Sequence, residues 1–407
     1  MLNQIGIGIQ VIFLAIGLYQ IILLLFGVFV TRKTPEHAPT KTFAVLVAAH
    51  NESKVIAPLV DNLLKLDYPK DMYDVFVICD NCTDNTAEIV STNGAIACER
   101  FVPELRGKGY AIEWMLNKLW TMDRQYDAVV MFDADNLVDN HFLLEMNNDL
   151  CEGSRVIQGY LDTKNPEDSW ITSSFAITYW FSARFFQIPR KHLKLANFLG
   201  GTGMCFDTAL LKEMGWGATS LVEDLEFTAR CVQRGVLPSY NYDAKVYDEK
   251  PLGYRASVKQ RLRWMQGHFE VARRYAAPMF VQAIKEANWA KLDCALHTFN
   301  VYTYLIGFLF SAVLLIDQVS NESMFTSVYT MLPKSFAVLI GFIMVIQFPL
   351  AMWLEEVPAK MYRHLISLPI FLLSWFPLTV HAFFTQNNKE WSHTEHTRVI
   401  RVDEMHK

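Results

Sequence analysis

The sequence predicts an α/β, doubly wound nucleotide-type domain joined to a helical transmembrane region through amphipathic interface helices. Three observations carry that reading. Short apolar runs of strand length alternate with helical patterns between residues 42 and 133. Acidic residues follow two of those runs, at Asp80 and Asp133. Four long stretches, 1–31, 294–316, 335–354 and 365–388, lack Asp, Glu, Lys and Arg.

The first of these stretches exceeds the roughly 20 residues that cross hydrocarbon at about 1.5 Å each. No basic residue precedes it and Thr31-Arg32-Lys33 follows it, so residues 1–31 read as a retained anchor rather than a cleaved signal. Arg32 and Lys33 place the next domain, 40–250, in the cytosol. Within it Thr42–Ala49 is a strand ending at His50-Asn51-Glu52, followed by a helical pattern over Val55–Leu66. Asp74–Cys79 is a second strand, ending at Asp80, with a helix starting over Thr83–Val90. Ala128–Phe132 is a third, ending at Asp133. Strands and helices in alternation imply a parallel sheet, whose ligands bind at the carboxyl ends of the strands. A single strand-end Asp is a turn former or a helix cap. Polar residues at three successive strand ends point to a site instead.

Residues 251–290 follow as amphipathic helices, in which Leu262, Trp264, Phe269 and Val271 alternate with Arg261, Arg263, Arg273 and Arg274. That composition suits a membrane surface. Across 294–385 the first two apolar stretches form an out-and-back hairpin around a short loop, 317–334. The last is flanked on both sides by basic residues and interrupted by Pro369 and Pro377, so it reads as interfacial or re-entrant, with a fourth span as the alternative. The tail, 386–407, is then cytosolic.

With 52% hydrophobic and 19% charged residues the chain is too apolar for an ordinary soluble protein. A net charge of −5 and the absence of a basic run exclude general nucleic-acid binding. The seven cysteines fit reduced cytosolic thiols. Cys79 and Cys82 form a CxxC without a second pair, so a zinc site is not expected.

Asp133-Ala134-Asp135 places two carboxylates at the tip of a buried strand, directed by alternation toward one volume. Hard oxygen ligands suit Mg²⁺ or Mn²⁺, and one or two are enough when phosphates complete the shell. Arg106-Gly107-Lys108-Gly109 precedes a helix near Tyr110 and fits a phosphate, though alone it also reads as a surface turn. Phe198–Met204 is a glycine-rich turn that either borders an acceptor pocket or closes a hairpin. Glu223-Asp224 opens a helix; either acid is a helix cap or a general base worth on the order of 10²–10⁴-fold. Gln260, Arg263 and Trp264 offer an indole face and polar groups for a sugar and a phosphate, while interfacial anchoring explains Trp264 and Arg263 but not Gln260.

Taken together, Asp80, Asp133-Ala134-Asp135, Glu223-Asp224 and Gln260–Trp264 resemble the processive, membrane-embedded family-2 glycosyltransferases, the group of cellulose, chitin and hyaluronan synthases. The resemblance runs from about Phe43 to Trp264, with Val222 where the family pattern has Thr. It implies a GT-A-type fold, a UDP-sugar donor, a polysaccharide acceptor and a Mg²⁺ or Mn²⁺ cofactor. By position, Ala49, Asn51, Glu52 and Asp80 would hold the base, and Lys108 and Asp133 would contact the nucleotide and diphosphate. Asp135 would bind the metal, and Asp224 would be the catalytic base. Gly201, Thr202, Gly203 and Trp264 would meet the acceptor, with Gln260 and Arg263 on the diphosphate side. Trp391, Thr394, Thr397 and Arg398 resemble a gating element that covers the nucleotide. The function implied is inverting, processive transfer coupled to export; the small number of apolar stretches leaves open whether a second copy or an export partner completes the channel. Two rivals stand beside it: single transfer to a lipid-linked acceptor, and a non-catalytic nucleotide-sugar-binding subunit.

Overall fold

The computed structural model describes residues 2–28, 34–320, 328, 333–388 and 398–400. Eight strands form one sheet: β1 Phe43–Ala49, β2 Tyr73–Asp80, β3 Ile96–Arg100, β4 Ala128–Asp133, β5 Leu137–Val138, β6 Val156–Thr163, β7 Met204–Asp207 and β8 Ser239–Asp248. Their order is β3-β2-β1-β4-β7-β6-β8-β5. The three runs read from the sequence are β1, β2 and β4, each within a residue or two of its expected bounds.

The first four strands are parallel, as expected. The sheet as a whole is not. β7 runs antiparallel to both β4 and β6, and β5 antiparallel to β8. The reason lies in the connection after β6. The chain leaves the sheet for the helix Trp170–Ser182 and returns through an irregular stretch, entering β7 from the opposite end. Hydrophobic alternation within a four-residue strand carries no direction, so the reversal was not visible in the sequence.

Strand order turns over between β1 and β4, where Ala48 lies opposite Asp133. A topological switch of this kind opens a crevice beyond the strand ends. Alternation places Val45 and Val47 against the helices Ile56–Leu64, Thr86–Thr92 and Phe142–Cys151 on one face of the sheet. Ala44 and Leu46 meet the helices Lys108–Leu119, Thr208–Met214 and Glu223–Gln233 on the other. Both faces of the strands are therefore dry, as a parallel sheet requires.

Among the described residues four helical stretches, Asn3–Gly27, Trp289–Asp317, Lys334–Leu354 and Leu368–Thr385, are long and apolar enough to cross a membrane. Buried ion pairs tie them to the sheet domain. Arg190 holds Asp293 through two bonds of 2.8 and 2.9 Å, and Tyr19 of the first helix donates to the same carboxylate at 2.6 Å. Glu355, at the end of the third, accepts from Arg184, Tyr160 and Tyr242 at 2.6–2.9 Å. Every partner is hydrogen-bonded, the condition under which a buried charge is tolerated.

In the last apolar stretch the helices Leu368–Leu373 and Trp375–Thr385 are separated only at Ser374. Pro369 and Pro377 each fall in a first turn, where a missing N–H costs no helical bond. These prolines start helices rather than interrupt one. Arg261, expected on the charged side of an interfacial helix, is fully buried. It lies 4.5 Å from the Phe371 ring centroid and 5.0 Å from that of Trp375, and donates to Ser374 Oγ at 2.8 Å. The last apolar stretch clasps this side of the helix Tyr254–Val271, a tertiary contact that periodicity alone does not report.

Candidate active site

A cavity of about 450 Å³ opens beyond the ends of β1 and β4. The N-termini of the helices Lys108–Leu119 and Glu223–Gln233 form one side, and the helix Tyr254–Val271 closes it toward the membrane region.

At the sheet end, Asp80 is buried and its Oδ1 accepts from Arg100 and, at 2.9 Å, from Asn81. The His50 ring meets the Asp80 carbonyl at 2.7 Å. Ala49, Glu52 and Asp80 line the cavity. Asn51 does not. Its backbone sits at φ 55°, and its side-chain oxygen accepts from Thr83 N at 2.7 Å, bracing the loop from behind. Lys108 opens its helix after Gly107 (φ 122°), a conformation glycine adopts without strain. The ammonium bonds Asp133 Oδ1 at 2.5 Å and the Gly201 carbonyl, with Glu223 at 3.9 Å. Burial works against this charge, yet Asp133 and Glu223 hold its pKa above the ordinary value.

The two acids of the Asp-Ala-Asp motif have different partners. Asp133 pairs with Lys108, whereas Asp135 Oδ2 accepts from Glu249 N at 2.9 Å, past the end of β8. There Asp248 joins the site. One of its oxygens meets Lys250 Nζ at 2.5 Å, and the other, Oδ1, is buried with no partner among the described residues. Burial pushes the Asp248 carboxyl up to about 6 against the pull of Lys250, and Asp135 and Asp133 add to the rise. An orphaned carboxylate oxygen among like charges fits a divalent cation. Among the described residues no group of three or more His, Cys, Asp or Glu could hold a metal alone, so phosphate oxygens and water would have to complete the shell.

At the other end, Asp224 Oδ1 accepts from Leu225 N at 2.7 Å. Burial raises its pKa, opposed by that N–H, by His268 and by Lys108. Burial also lifts Glu223, to about 7, against Lys108 and with help from Asp224. Gly201, at φ 85°, passes so close that a Cβ there would lie 3.4 Å from Asp224 Oδ2. Thr202 Oγ1 bonds Asn136 and receives Asp133 N at 3.2 Å, tying the glycine-rich turn to the end of β4. Gly203 faces away: its carbonyl accepts from Gly159 N at 2.8 Å, and a Cβ there would meet Val246.

Gln260, Arg263 and Trp264 line the cavity together with His268 and His297. Gln260 Oε1 and Arg263 Nε are buried without partners among the described residues. Orphaned polar atoms at a cavity wall are explained by a ligand that satisfies them. Trp264 stands edge-on to Phe175, with ring centroids 6.1 Å apart.

Trp391, Thr394 and Thr397 lie outside the described residues. Arg398 is described: its N–H points to the Glu249 carboxylate at 3.2 Å and its carbonyl accepts from Lys164 at 3.1 Å, beside Asp135 but not lining the cavity. Sequence reasoning missed Asp248, Arg100 and His268. For Asp248 a signal existed, the acidic pair Asp248-Glu249 followed by Lys250-Pro251, where a strand gives way to a helix.

The family model described as Glycosyltransferase like family 2 matches residues 39–267, more than half of the chain. A poly-beta-1,6-N-acetyl-D-glucosamine synthase of Staphylococcus epidermidis is 24% identical over 84% of this chain and 81% of its own length. A probable glycosyltransferase of Bacillus subtilis, YdaM, is 27% identical over 58% of this chain, and a beta-monoglucosyldiacylglycerol synthase of Nostoc is 28% identical over 56%. This chain spans only about half of those two proteins, 57% and 49%. The solved structure of a mannosyltransferase from Pyrobaculum calidifontis, in complex with GDP-Man and Mn²⁺, superposes with a TM-score of 0.57 at 19% identity, over 91% of this chain and 98% of that one. The fold is therefore the GT-A type carried by that enzyme.

Proposed function

The chain belongs to glycosyltransferase-like family 2 and is a glycosyltransferase, and on that premise we propose that it transfers a sugar from a UDP-sugar to a hydroxyl of a growing polysaccharide, with inversion. The observation that carries this reading is Asp224, a half-buried carboxylate with a raised pKa on the cavity wall between the Gly201 turn and His268. A base poised closer to neutrality gives up less driving force when it removes a hydroxyl proton.

The rest of the cavity has matching parts. The loop at Ala49–Glu52 and the Asp80 carboxylate, fixed by Arg100, form the base pocket. Lys108 stands at a helix N-terminus where a diphosphate gains from both the ammonium and the backbone N–H groups. Asp135 and Asp248 would hold a Mg²⁺ or Mn²⁺ ion, which when bound neutralises charge on the leaving diphosphate. Gln260 and Arg263 supply unsatisfied polar atoms on the far side, and Trp264 closes the acceptor end. Arg398 beside Glu249 supports a tail that covers the nucleotide.

Polymer rather than single addition is favoured by the staphylococcal synthase, whose similarity extends over 84% of this chain. The four apolar helices would anchor the enzyme in the plasma membrane with the sheet domain in the cytosol, and the cavity's contact with His297 of a candidate span would pass product toward the bilayer. The Nostoc relative, named for a diacylglycerol product, supports a second reading: one transfer to a membrane lipid.

The test is UDP release by detergent-purified protein with Mg²⁺ or Mn²⁺ across a panel of UDP-sugars, with product length read by gel filtration. One productive donor and a long product support polymerisation. A singly extended lipid supports the second reading. Silence with every donor defeats both.

A further inference from the structure

His268 is a cavity-lining residue that neither the motifs nor the mechanism above uses. Its position follows from its neighbour. A Cβ on Gly267 would lie 2.8 Å from Val222 Cγ2 and 3.0 Å from Val222 N. Only a glycine lets the helix Tyr254–Val271 press this closely on the residue before Glu223-Asp224. That contact brings the next residue, His268, beside Asp224, whose carboxylate acts on the imidazole electrostatically.

The tautomer is set as well. His268 Nδ1 lies 2.9 Å from the Trp264 carbonyl oxygen. A carbonyl only accepts, so Nδ1 carries the proton and Nε2 keeps its lone pair. Burial keeps the ring neutral, against the Trp264 carbonyl and Asp224. The charged and titratable groups that line this part of the cavity with it are Asp224 and Glu223 from one helix, Arg263 from its own helix and His297 from the candidate span. A neutral nitrogen lone pair and a carboxylate thus belong to residues that line one cavity wall and interact electrostatically, and both accept hydrogen bonds.

We propose that His268 is a specificity-determining acceptor residue, whose Nε2 takes a hydrogen bond from the hydroxyl adjacent to the one Asp224 deprotonates. The lead group of the acceptor then carries two neighbouring hydroxyls. A sugar ring supplies both. An ionised phosphate offers only oxygen acceptors and meets two further acceptors. Diacylglycerol has a single hydroxyl and leaves one partner unmatched. This inference rests on the transferase reading above.

The experiment uses the full-length protein in detergent, with the active UDP-sugar and with chito-oligosaccharide, cello-oligosaccharide or diacylglycerol as acceptor. It compares wild type with His268→Leu, which fills the space without a lone pair, and His268→Gln, whose amide oxygen restores an acceptor. The expected result is a roughly tenfold or larger rise in acceptor KM for His268→Leu, the size of one lost buried hydrogen bond. Donor KM should stay at its wild-type value, and His268→Gln should recover most of the loss. Wild-type acceptor KM in His268→Leu would overturn the proposal, and so would equal loss in the Leu and Gln chains or a matching rise in donor KM. Preference of the wild type for diacylglycerol over both sugar acceptors would also overturn it. A wild type that releases no UDP with any donor would remove the transferase reading, and this proposal with it.

Discussion

The two ends of the cavity are built differently. The donor end is an edge of one sheet, where Ala49, Asp80 and Asp133 are the last residues of adjacent parallel strands and their positions are fixed by the ladder. The acceptor end is made of helices from distant parts of the chain, with Asp224, Trp264, His268 and His297 contributed by three separate elements. At the donor end charges are already paired, Asp80 with Arg100 and Asp133 with Lys108. Buried polar atoms are left open at Asp248 beside that edge and at Gln260 and Arg263 on the helix that closes the cavity. The base pocket is thus a preformed cradle, while the groups around the diphosphate await partners that the ligand brings.

Apart from Asp224, removing a group from the donor end should have the largest effect. Asp248→Asn and Asp135→Asn should each weaken metal activation by more than the ~10–100-fold that second-shell changes cost, measured as the Mn²⁺ concentration giving half-maximal turnover. Unchanged metal dependence in Asp248→Asn would mean that its orphaned oxygen serves another purpose. Next in size is Arg261→Ala on the membrane side. Loss of its contacts with Phe371 and Trp375 and of its bond to Ser374 should cost about 2–3 kcal/mol, seen as a lower Tm with UDP affinity intact.

The pH dependence of Glu223 comes third. Its folded pKa, about 7, lies above the ordinary 4.5. The folded state therefore holds the proton more tightly than the unfolded chain. The stability this contributes is complete below pH 4.5 and is lost as pH rises to about 7. In denaturant titrations wild type should fall in stability across that window relative to Glu223→Gln. The smallest effect expected is from Val222→Thr, which restores the residue the family resemblance leads one to expect. Packed against Gly267, it should cost about 1 kcal/mol and keep activity.

The same contrast explains what the sequence could show. The strand ends were legible because each apolar run and its closing polar residue are contiguous, and the topology of parallel strands carries them to one edge. Asp224 was legible only through the motif it shares with a family; from local pattern it was a helix cap. The reversal of β7 and the burial of Arg261 were not legible, because one depends on how a forty-residue excursion returns and the other on a helix more than a hundred residues away. His268 was hidden for the same reason: only the Gly267–Val222 contact makes it part of the site. Asn51 and Gly203 show the converse. Both belong to motifs that surround the cavity, yet one braces a loop and the other serves the sheet.

The most direct measurement is to compare donor binding with turnover in Asp224→Asn. Calorimetry with the active UDP-sugar and Mn²⁺ should give near wild-type affinity, because Asp80 is held by Arg100 and Asn81, and Asp135 accepts from Glu249 N. UDP release should fall on the order of 10²–10⁴-fold, the contribution of a general base. Turnover within a few-fold of wild type would show that Asp224 is a helix cap and that the base lies elsewhere. Loss of donor binding in step with turnover would show that the carboxylate serves the donor and not the acceptor.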